Sequence, residues 1–303
     1  MISARVVCDS IAAYSPRLTT LELTYPRFIH AEFMTHRVFS RNASSSRAIP
    51  VQKTIDRVKN DPVIPIYWGK NQPGMQADEE LSPEAARLAE ELWRGAAYNA
   101  LDSAREMKEI GAHKQIINRL LEPWSTITVV VTATEWDNFF SLRCSPAAEP
   151  HMHQLADKML EAMNVSEPRY LEPGEWHLPF VVDMDTDYRE AYKQGTALEP
   201  NTEHLVKLSV ARVARVSYLN HDGTTPDPKK DLELHDRLLS SGHMSPFEHQ
   251  ATVPTDFERG NCLDGGNLRD WMQYRKMLPN ECRQHFEGLR IASVEEAKAR
   301  RYK

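Results

Sequence analysis

The stretch Ser125-Thr-Ile-Thr-Val-Val-Val-Thr132 constrains this chain more than any other. From Thr126 onward every residue is β-branched, and such side chains are stiff at χ1 and favour a pleated backbone over a helix. The run carries no charge, so it reads as a buried strand. Glu122-Pro123 in front of it closes a helix expected over 113–121, because the residue before a proline avoids the α region. Behind it, a helix is expected over 135–143, capped by Thr134 with Asp137 three residues on.

The other elements follow from periodicity and punctuation. Residues 2–8 and 18–25 read as short strands, the second through alternation of Leu with Thr and Glu. Pro26 opens a helix expected over 27–37, and the polar, Ser-rich residues 40–49 read as a loop. Ser82-Pro83-Glu84 is a helix start with Ser at N-cap and Pro at N1. Leu88, Leu92, Ala96 and Ala100 continue one face of that helix, which runs over 83–110 until Gly111 stops it. Further helices are expected over 150–163, from the cap Asn201 to about 217, from Asp227-Pro228 to Gly242, and over 267–277. The Pro- and Glu-rich residues 165–200 divide a first unit, 1–170, from a second, 200–303. The sum is an α+β protein, a mixed β-sheet flanked by long α-helices.

A weak internal repeat aligns Phe33-Met-Thr-His-Arg37 with Trp271-Met-Gln-Tyr-Arg275, and the same spacing maps Asn42 onto Asn280. Two diverged copies of one unit would produce it.

With 303 residues, 41% apolar and 26% charged, the composition is that of an ordinary globular protein. A net charge of −6 argues against broad electrostatic binding to nucleic acid or an anionic membrane. An anionic ligand must therefore meet a local arginine cluster. Cys8, Cys144, Cys262 and Cys282 form no Cys-x-x-Cys pair, and a chain of this size needs no disulfides. The start lacks a basic segment followed by an apolar run, and no apolar stretch approaches the roughly 20 residues of a membrane span. A cytoplasmic protein with reduced thiols is expected.

Three groups of residues could carry chemistry. In His36-Arg37-x-x-Ser40-x-Asn42-x-x-Ser45-x-Arg47, two arginines and a histidine bracket hydroxyls and amides suited to phosphate and carbonyl oxygens. A solvated surface loop is the competing reading. Arg119 and Arg143 end the helices before and after the buried strand and could emerge at related edges of one core. They could equally be helix C-terminal cations answering the macrodipole. In Gly242-His-Met-Ser-Pro-Phe-Glu-His249, glycine stops a helix and leaves His243 on an exposed turn. A metal reading of His243, Glu248 and His249 has no matching ligand spacing, so no metal is expected. His151 and His153 lie two apart on a helix, face different directions, and read as surface residues. No Gly-x-Gly-x-x-Gly, Walker loop or His-Glu-x-x-His occurs.

Taken together, these segments resemble the flavin-dependent thymidylate synthases. Thr35-His36-Arg37 followed by Ser45-x-Arg47 keeps the spacing of that family's Arg-His-Arg signature without its first Arg. Asn118-Arg119-Leu-Leu-Glu-Pro123, a strand, and Asn138-Phe139-Phe-x-Leu-Arg143 match a second block. Ala211-Arg-Val-Ala-Arg-Val-Ser217 through Gly242 to His249 matches a third. The Gly-His block ordinarily precedes the His-Arg signature, whereas here the two lie at opposite ends. Diverged copies whose surviving halves complement each other, within one chain or across an oligomer interface, would explain that order.

The resemblance implies reductive methylation of dUMP to dTMP with FAD, NADPH and methylenetetrahydrofolate. It assigns FAD to His36, Arg37, Asn138, Ser245 and Glu248, and the nucleotide to Ser45, Arg47, Arg119 and Arg143. Arg143 and His243 are the catalytic candidates, His243 lying near flavin and folate. Arginines that bind the nucleotide also stabilise negative charge developing on the uracil carbonyls, and no cysteine nucleophile is required. Glu32 stands for a Gln, Thr35 for an Arg and Ala43 for a Glu, and Thr132 and Thr134 replace polar or basic flavin contacts. A carboxylate in place of an amide near a phosphate or carbonyl is electrostatically adverse. A relative alkylating another pyrimidine nucleotide such as UMP, and a catalytically silent nucleotide-binding homologue, are the alternatives.

Overall fold

The computed structural model describes residues 2–181, 201–216, 227–260 and 265–279, with the single residues 193, 224, 281 and 298. The β-branched run forms β4 (Thr126–Ala133), paired antiparallel along its length with β2 (Ser15–Pro26). Strand β1 (Ser3–Ala12) lies antiparallel beside β2, and the short β5 (Arg169–Tyr170) adds parallel to β1. On the other side β3 (Ser40–Ala43) pairs antiparallel with β4. The result is a five-stranded mixed sheet of order β3-β4-β2-β1-β5.

Period two sorts the side chains of the central strands onto two faces. Leu21, Leu23 and Tyr25 of β2 join Ile127, Val129, Val131 and Ala133 of β4 in the main core. This face is covered by helix Pro150–Asn164 through Met152, Leu155 and Met159, and by Phe33, Phe39 and Phe139. The opposite face is mixed. Val130 packs with Val213 and Val216 at the end of helix Thr202–Arg215 and with Phe180. The hydroxyls of Thr24 and Thr128 lie 3.2 Å apart across the strands. Helices Val51–Asn60, Pro83–Glu109 and Lys114–Leu120 form a separate apolar layer around Ile55, Val58, Leu101 and Ile117.

A second sheet of β6 (Trp176–His177), β7 (Ala251–Thr252) and β8 (Met272–Gln273) is tied to the first by a buried polar chain. His177 Nδ1 lies 2.9 Å from Ser10 Oγ, and its Nε2 lies 2.8 Å from Thr20 Oγ1. Thr20 Oγ1 is 2.7 Å from Thr132 Oγ1, which is 2.8 Å from His249 Nδ1. Both imidazoles are fully buried, and burial pushes each down to about 3, so they are neutral at pH 7.

Several elements differ from expectation. The helix expected over 27–37 is a 3-10 turn, Arg27–Ile29, and one α-turn, His30–Phe33. The 40–49 loop begins as β3, because Asn42 and Ala43 complete the edge of β4. Leu88 and Leu92 are exposed, and the long helix buries Ala97, Leu101 and Ala104 instead. Helix Asp137–Arg143 starts at an N-cap of Trp136, while the Thr134 hydroxyl accepts from Arg269 N at 3.2 Å. His151 is buried, its Nδ1 against Glu149 Oε1 at 2.5 Å and its Nε2 accepting from Ile66 N at 3.0 Å. Within 267–277 only Tyr274–Met277 is helical, preceded by β8. Phe33–Arg37 and Trp271–Arg275 therefore have different backbones, which gives duplication no support. Asn280, Ser217, Cys262 and Cys282 lie outside the described residues.

The two buried histidines give stability a defined pH dependence. Unfolded imidazoles titrate near 6.5 and the folded ones near 3, so between these values the unfolded state binds more protons. Stability is therefore expected to fall as pH drops from about 6.5 toward 3, by on the order of 2 kcal/mol per histidine at pH 5. Urea denaturation at pH 7 and pH 5 measures this, and equal stability would show that the imidazoles are not held neutral.

Candidate functional site

Strand β3 joins the distant parts of the chain. Asn42 Nδ2 donates to Val213 O at 2.7 Å, near the end of helix Thr202–Arg215, and Asn42 Oδ1 accepts from Ser245 Oγ at 3.1 Å. Asn267 Nδ2 donates to Val38 O at 2.7 Å and to Ser40 Oγ at 3.0 Å. Gln273 Nε2 donates to Asn267 Oδ1 and to Glu248 O, each at 2.9 Å. The His36–Arg47 segment and the Gly242–His249 segment thus meet along β3. Beside them Val216 adopts φ 58°, a left-handed conformation costly for a β-branched residue. Packing of its side chain against Val130, Val213 and Phe180 opposes that cost.

A cleft of about 400 Å³ opens between β3, the sheet and helix Val51–Asn60. Asn42, Ser44 and Ser45 form one wall, Thr24 and Thr128 its floor, and Lys53 and Arg57 the facing wall. Glu22 and Arg215, also in the lining, are each paired. Glu22 receives Arg5 Nε at 3.1 Å and Nη2 at 2.8 Å, and Arg215 binds both oxygens of the buried Asp231. The loop after Ser45 is clamped from below by Asn118, which is 1% exposed. Asn118 Nδ2 donates to Ser46 O at 2.7 Å and to Ile49 O at 2.9 Å, and Ser46 Oγ donates to Glu122 Oε1 at 2.8 Å.

A second cluster forms where helices His30–Phe33 and Asp137–Arg143 approach. Arg143 Nε donates to His36 Nε2 at 3.0 Å, which places the His36 proton on Nδ1. Burial, reinforced by Arg143 and Arg41, lowers the His36 pKa, and its ring meets Phe139 edge-on at 4.9 Å. Arg143 Nη1 lies 3.9 Å from Glu32 Oε2. Burial and the neighbouring Glu149 raise the Glu32 pKa against the pull of Arg143. The Thr35 hydroxyl donates to Glu32 O at 2.7 Å and so closes a backbone turn. Ala43 packs against the main core.

The remaining candidates fall around these two centres. Ser45 lines the cleft, whereas Arg47 and Arg119 are exposed and do not. Arg37 is exposed beside His36, and Asn138 is exposed next to Phe139. Glu248 pairs with Arg275, which also donates to Glu281 at 2.8 Å. His243 is exposed, its Nδ1 2.9 Å from Ser241 Oγ. Thr132 is committed to the buried chain described above. Sequence reasoning missed Lys53 and Arg57, although Val51, Ile55 and Val58 carry the i, i+4, i+7 signal of their helix.

The sequence model of the Thy1 family, thymidylate synthase complementing protein, matches residues 18–169. The match spans half of the chain, from β2 through the cleft loop to β5, and the protein belongs to this family, that of the flavin-dependent thymidylate synthases. Among solved structures, the chain is similar to a UMP/dUMP methylase, PolB, from Streptomyces cacaoi bound with 5-Br UMP. That likeness has a TM-score of 0.43 at 13% identity, covering 54% of this chain and 88% of the other. It is also similar to the flavin-dependent thymidylate synthase ThyX from Helicobacter pylori complexed with FAD and dUMP. There the TM-score is 0.35 at 17% identity, with 48% of this chain and 67% of the other covered. No curated protein sequence matches the chain significantly.

The Asn118 clamp makes a direct prediction. Asn118→Ala removes both donors and leaves two carbonyls to find water, a cost of roughly 1–3 kcal/mol. Chemical denaturation reads the loss, and amide exchange is expected to quicken at Ser46–Ile49 ahead of the strands. Unchanged exchange in that loop would mean that Asn118 does not hold it.

Proposed function

We propose that this protein catalyses flavin-dependent reductive methylation of dUMP to dTMP, with FAD as cofactor and NADPH and methylenetetrahydrofolate as co-substrates. The observation that carries the reading is the family match over residues 18–169, which contain most of the cleft and the His36–Arg143 cluster. The residues present suit an anionic pyrimidine nucleotide: hydroxyls and an amide on one wall, a lysine and an arginine on the other. In this reading Ser45, Arg47, Arg119 and Arg143 hold the nucleotide, and His36, Arg37, Asn138, Ser245 and Glu248 hold FAD, with His243 toward the folate. Bound FAD supplies the reducing equivalents that turn the transferred carbon into a methyl group.

The chain's own groups then have definable tasks. Guanidinium donors stabilise negative charge on the uracil carbonyls as the 5-carbon becomes nucleophilic. His36, kept neutral by burial and its cationic neighbours, aims Arg143 without adding charge. Burial pushes the Cys8 and Cys144 thiols up to about 11, so both stay protonated at neutral pH. That suits a reaction whose nucleophile is the substrate carbon. Arg143 does not line the cleft within one protomer, which favours a homo-oligomer in which another copy completes the site. A cytoplasmic location fits the substrates, and among the described residues no helix is long and apolar enough to cross a membrane.

Incubation with FAD, NADPH, methylenetetrahydrofolate and either dUMP or UMP, followed by mass spectrometry of the nucleotide, tests the proposal. A mass gain of one methylene on dUMP is expected. Gain on UMP alone would move the assignment to the related substrate, and no flavin binding would identify a silent homologue. Arg47→Ala and Arg119→Ala should each weaken nucleotide binding about 10- to 150-fold, the loss of a charge-assisted contact of roughly 1.5–3 kcal/mol, while FAD is retained. Wild-type nucleotide affinity in both variants would remove them from the site.

A further inference from the structure

Helix Val51–Asn60 lines two adjoining clefts. Beside the Asn42–Ser45 cleft lies another of about 860 Å³, lined by Val58, Trp124, Asn118 and Glu122. The two share Thr24, Thr128, Ile49 and Pro50 together with Lys53 and Arg57, which are the charged groups of the ridge where they meet. They are four residues apart, hence neighbours on one helix face. Of the carboxylates nearby, Glu22 is engaged with Arg5, Glu122 with Arg27 at 3.2 Å and Asp56 with Gln52 Nε2 at 2.9 Å, while Asp61 lines only the second cleft. Among the described residues the Arg57 guanidinium makes no hydrogen bond or ion pair, although it faces the hydroxyls of Thr24, Thr128, Ser44 and Ser45 across the cleft. An unpaired guanidinium opposite hydroxyl donors matches the several acceptor oxygens of a phosphate, which a fork of N–H groups grips with direction as well as charge.

We propose that Arg57, supported by Lys53, is the phosphate anchor of this protein, a site for a phosphate ester at the ridge between the clefts. Naming the ester a nucleotide rests on the function proposed above, whereas the anion site stands on the geometry alone. A mononucleotide would place its sugar and base in the Asn42–Ser45 cleft. A dinucleotide would set its pyrophosphate on the ridge and send one half into each cleft. Because Arg57 is exposed and its guanidinium bonds to no other described residue, its removal is expected to leave the fold intact.

Calorimetric titration of the full-length chain with inorganic pyrophosphate, dUMP, deoxyuridine and NADPH tests the site. Arg57→Ala should bind pyrophosphate and at least one nucleotide about 10- to 150-fold more weakly than wild type, with deoxyuridine binding and Tm unchanged, and Arg57→Lys should recover part of the loss. Loss confined to dUMP assigns the anchor to a mononucleotide, and loss confined to NADPH to a dinucleotide. If wild type binds pyrophosphate through Arg57 but binds no nucleotide, the anion site holds and the nucleotide reading fails. Wild-type affinity of Arg57→Ala for every probe, or no binding of any phosphate to wild type, overturns the proposal.

Discussion

The pairing of β4 with β2 is the constraint on which the rest of the structure depends. The middle of β4 faces water on neither side, since Val129 and Val131 point one way and Val130 and Thr132 the other, all buried. One face is closed by apolar helix packing at little cost in polar satisfaction. The other carries threonines, whose hydroxyls must find partners once buried. Thr20 and Thr132 solve this by bonding to each other and to His177 and His249, and those histidines belong to the segments that bring in the second sheet. A polar residue pattern on a buried strand thereby fixes where the later third of the chain must lie.

The candidate site inherits its shape from that arrangement. Strand β3 hydrogen-bonds to the exposed edge of β4, and its outward groups, Ser40 and Asn42, become acceptors and donors for segments more than 170 residues away. Asn42 alone links the end of a helix to the Ser245 turn. The cleft is thus formed by elements that are held largely from outside it, which leaves the Ser45 and Arg57 side chains facing an open space, while Ser44 lines it and also accepts from Thr128 N at 3.2 Å.

Much of this was legible in the sequence. The β-branched run, the Ser82-Pro83 helix start, the Asn201 and Asp227 caps and the helix from Pro150 all carry local signals, and each formed within a residue or two of expectation. What failed was non-local. Ser40–Ala43 has loop composition and becomes a strand only because β4 offers an unpaired edge. His151 looks like a surface residue until the backbone N–H of Ile66 comes to its Nε2. Leu88 and Leu92 follow helical spacing, but the face the long helix buries is set by its neighbours Ile55, Val58 and Ile117 and not by its own largest side chains. For the site, the residue types in the His36–Arg47 segment pointed to anions, while Arg57 went unnoticed because a lone arginine on an unassigned helix carries no motif.

The change of β3 from loop to strand also alters how the signature is read. A loop can fold back and let His36, Arg37, Ser45 and Arg47 converge on one ligand. An extended segment rises about 3.3 Å per residue, so the four residues of β3 hold the His36–Arg143 cluster and the Ser44–Ser45 wall roughly 10 Å or more apart. The Arg143 guanidinium is further fixed at its end by His36 and Glu32, which limits its reach toward the cleft. Proximity in sequence therefore becomes two clusters in space, one holding a guanidinium beside a neutral imidazole, the other holding hydroxyls opposite a guanidinium with no partner among the described residues. The sheet edge that makes β3 a strand is thus also what sets the two apart, so a single group touching both must span the length of β3.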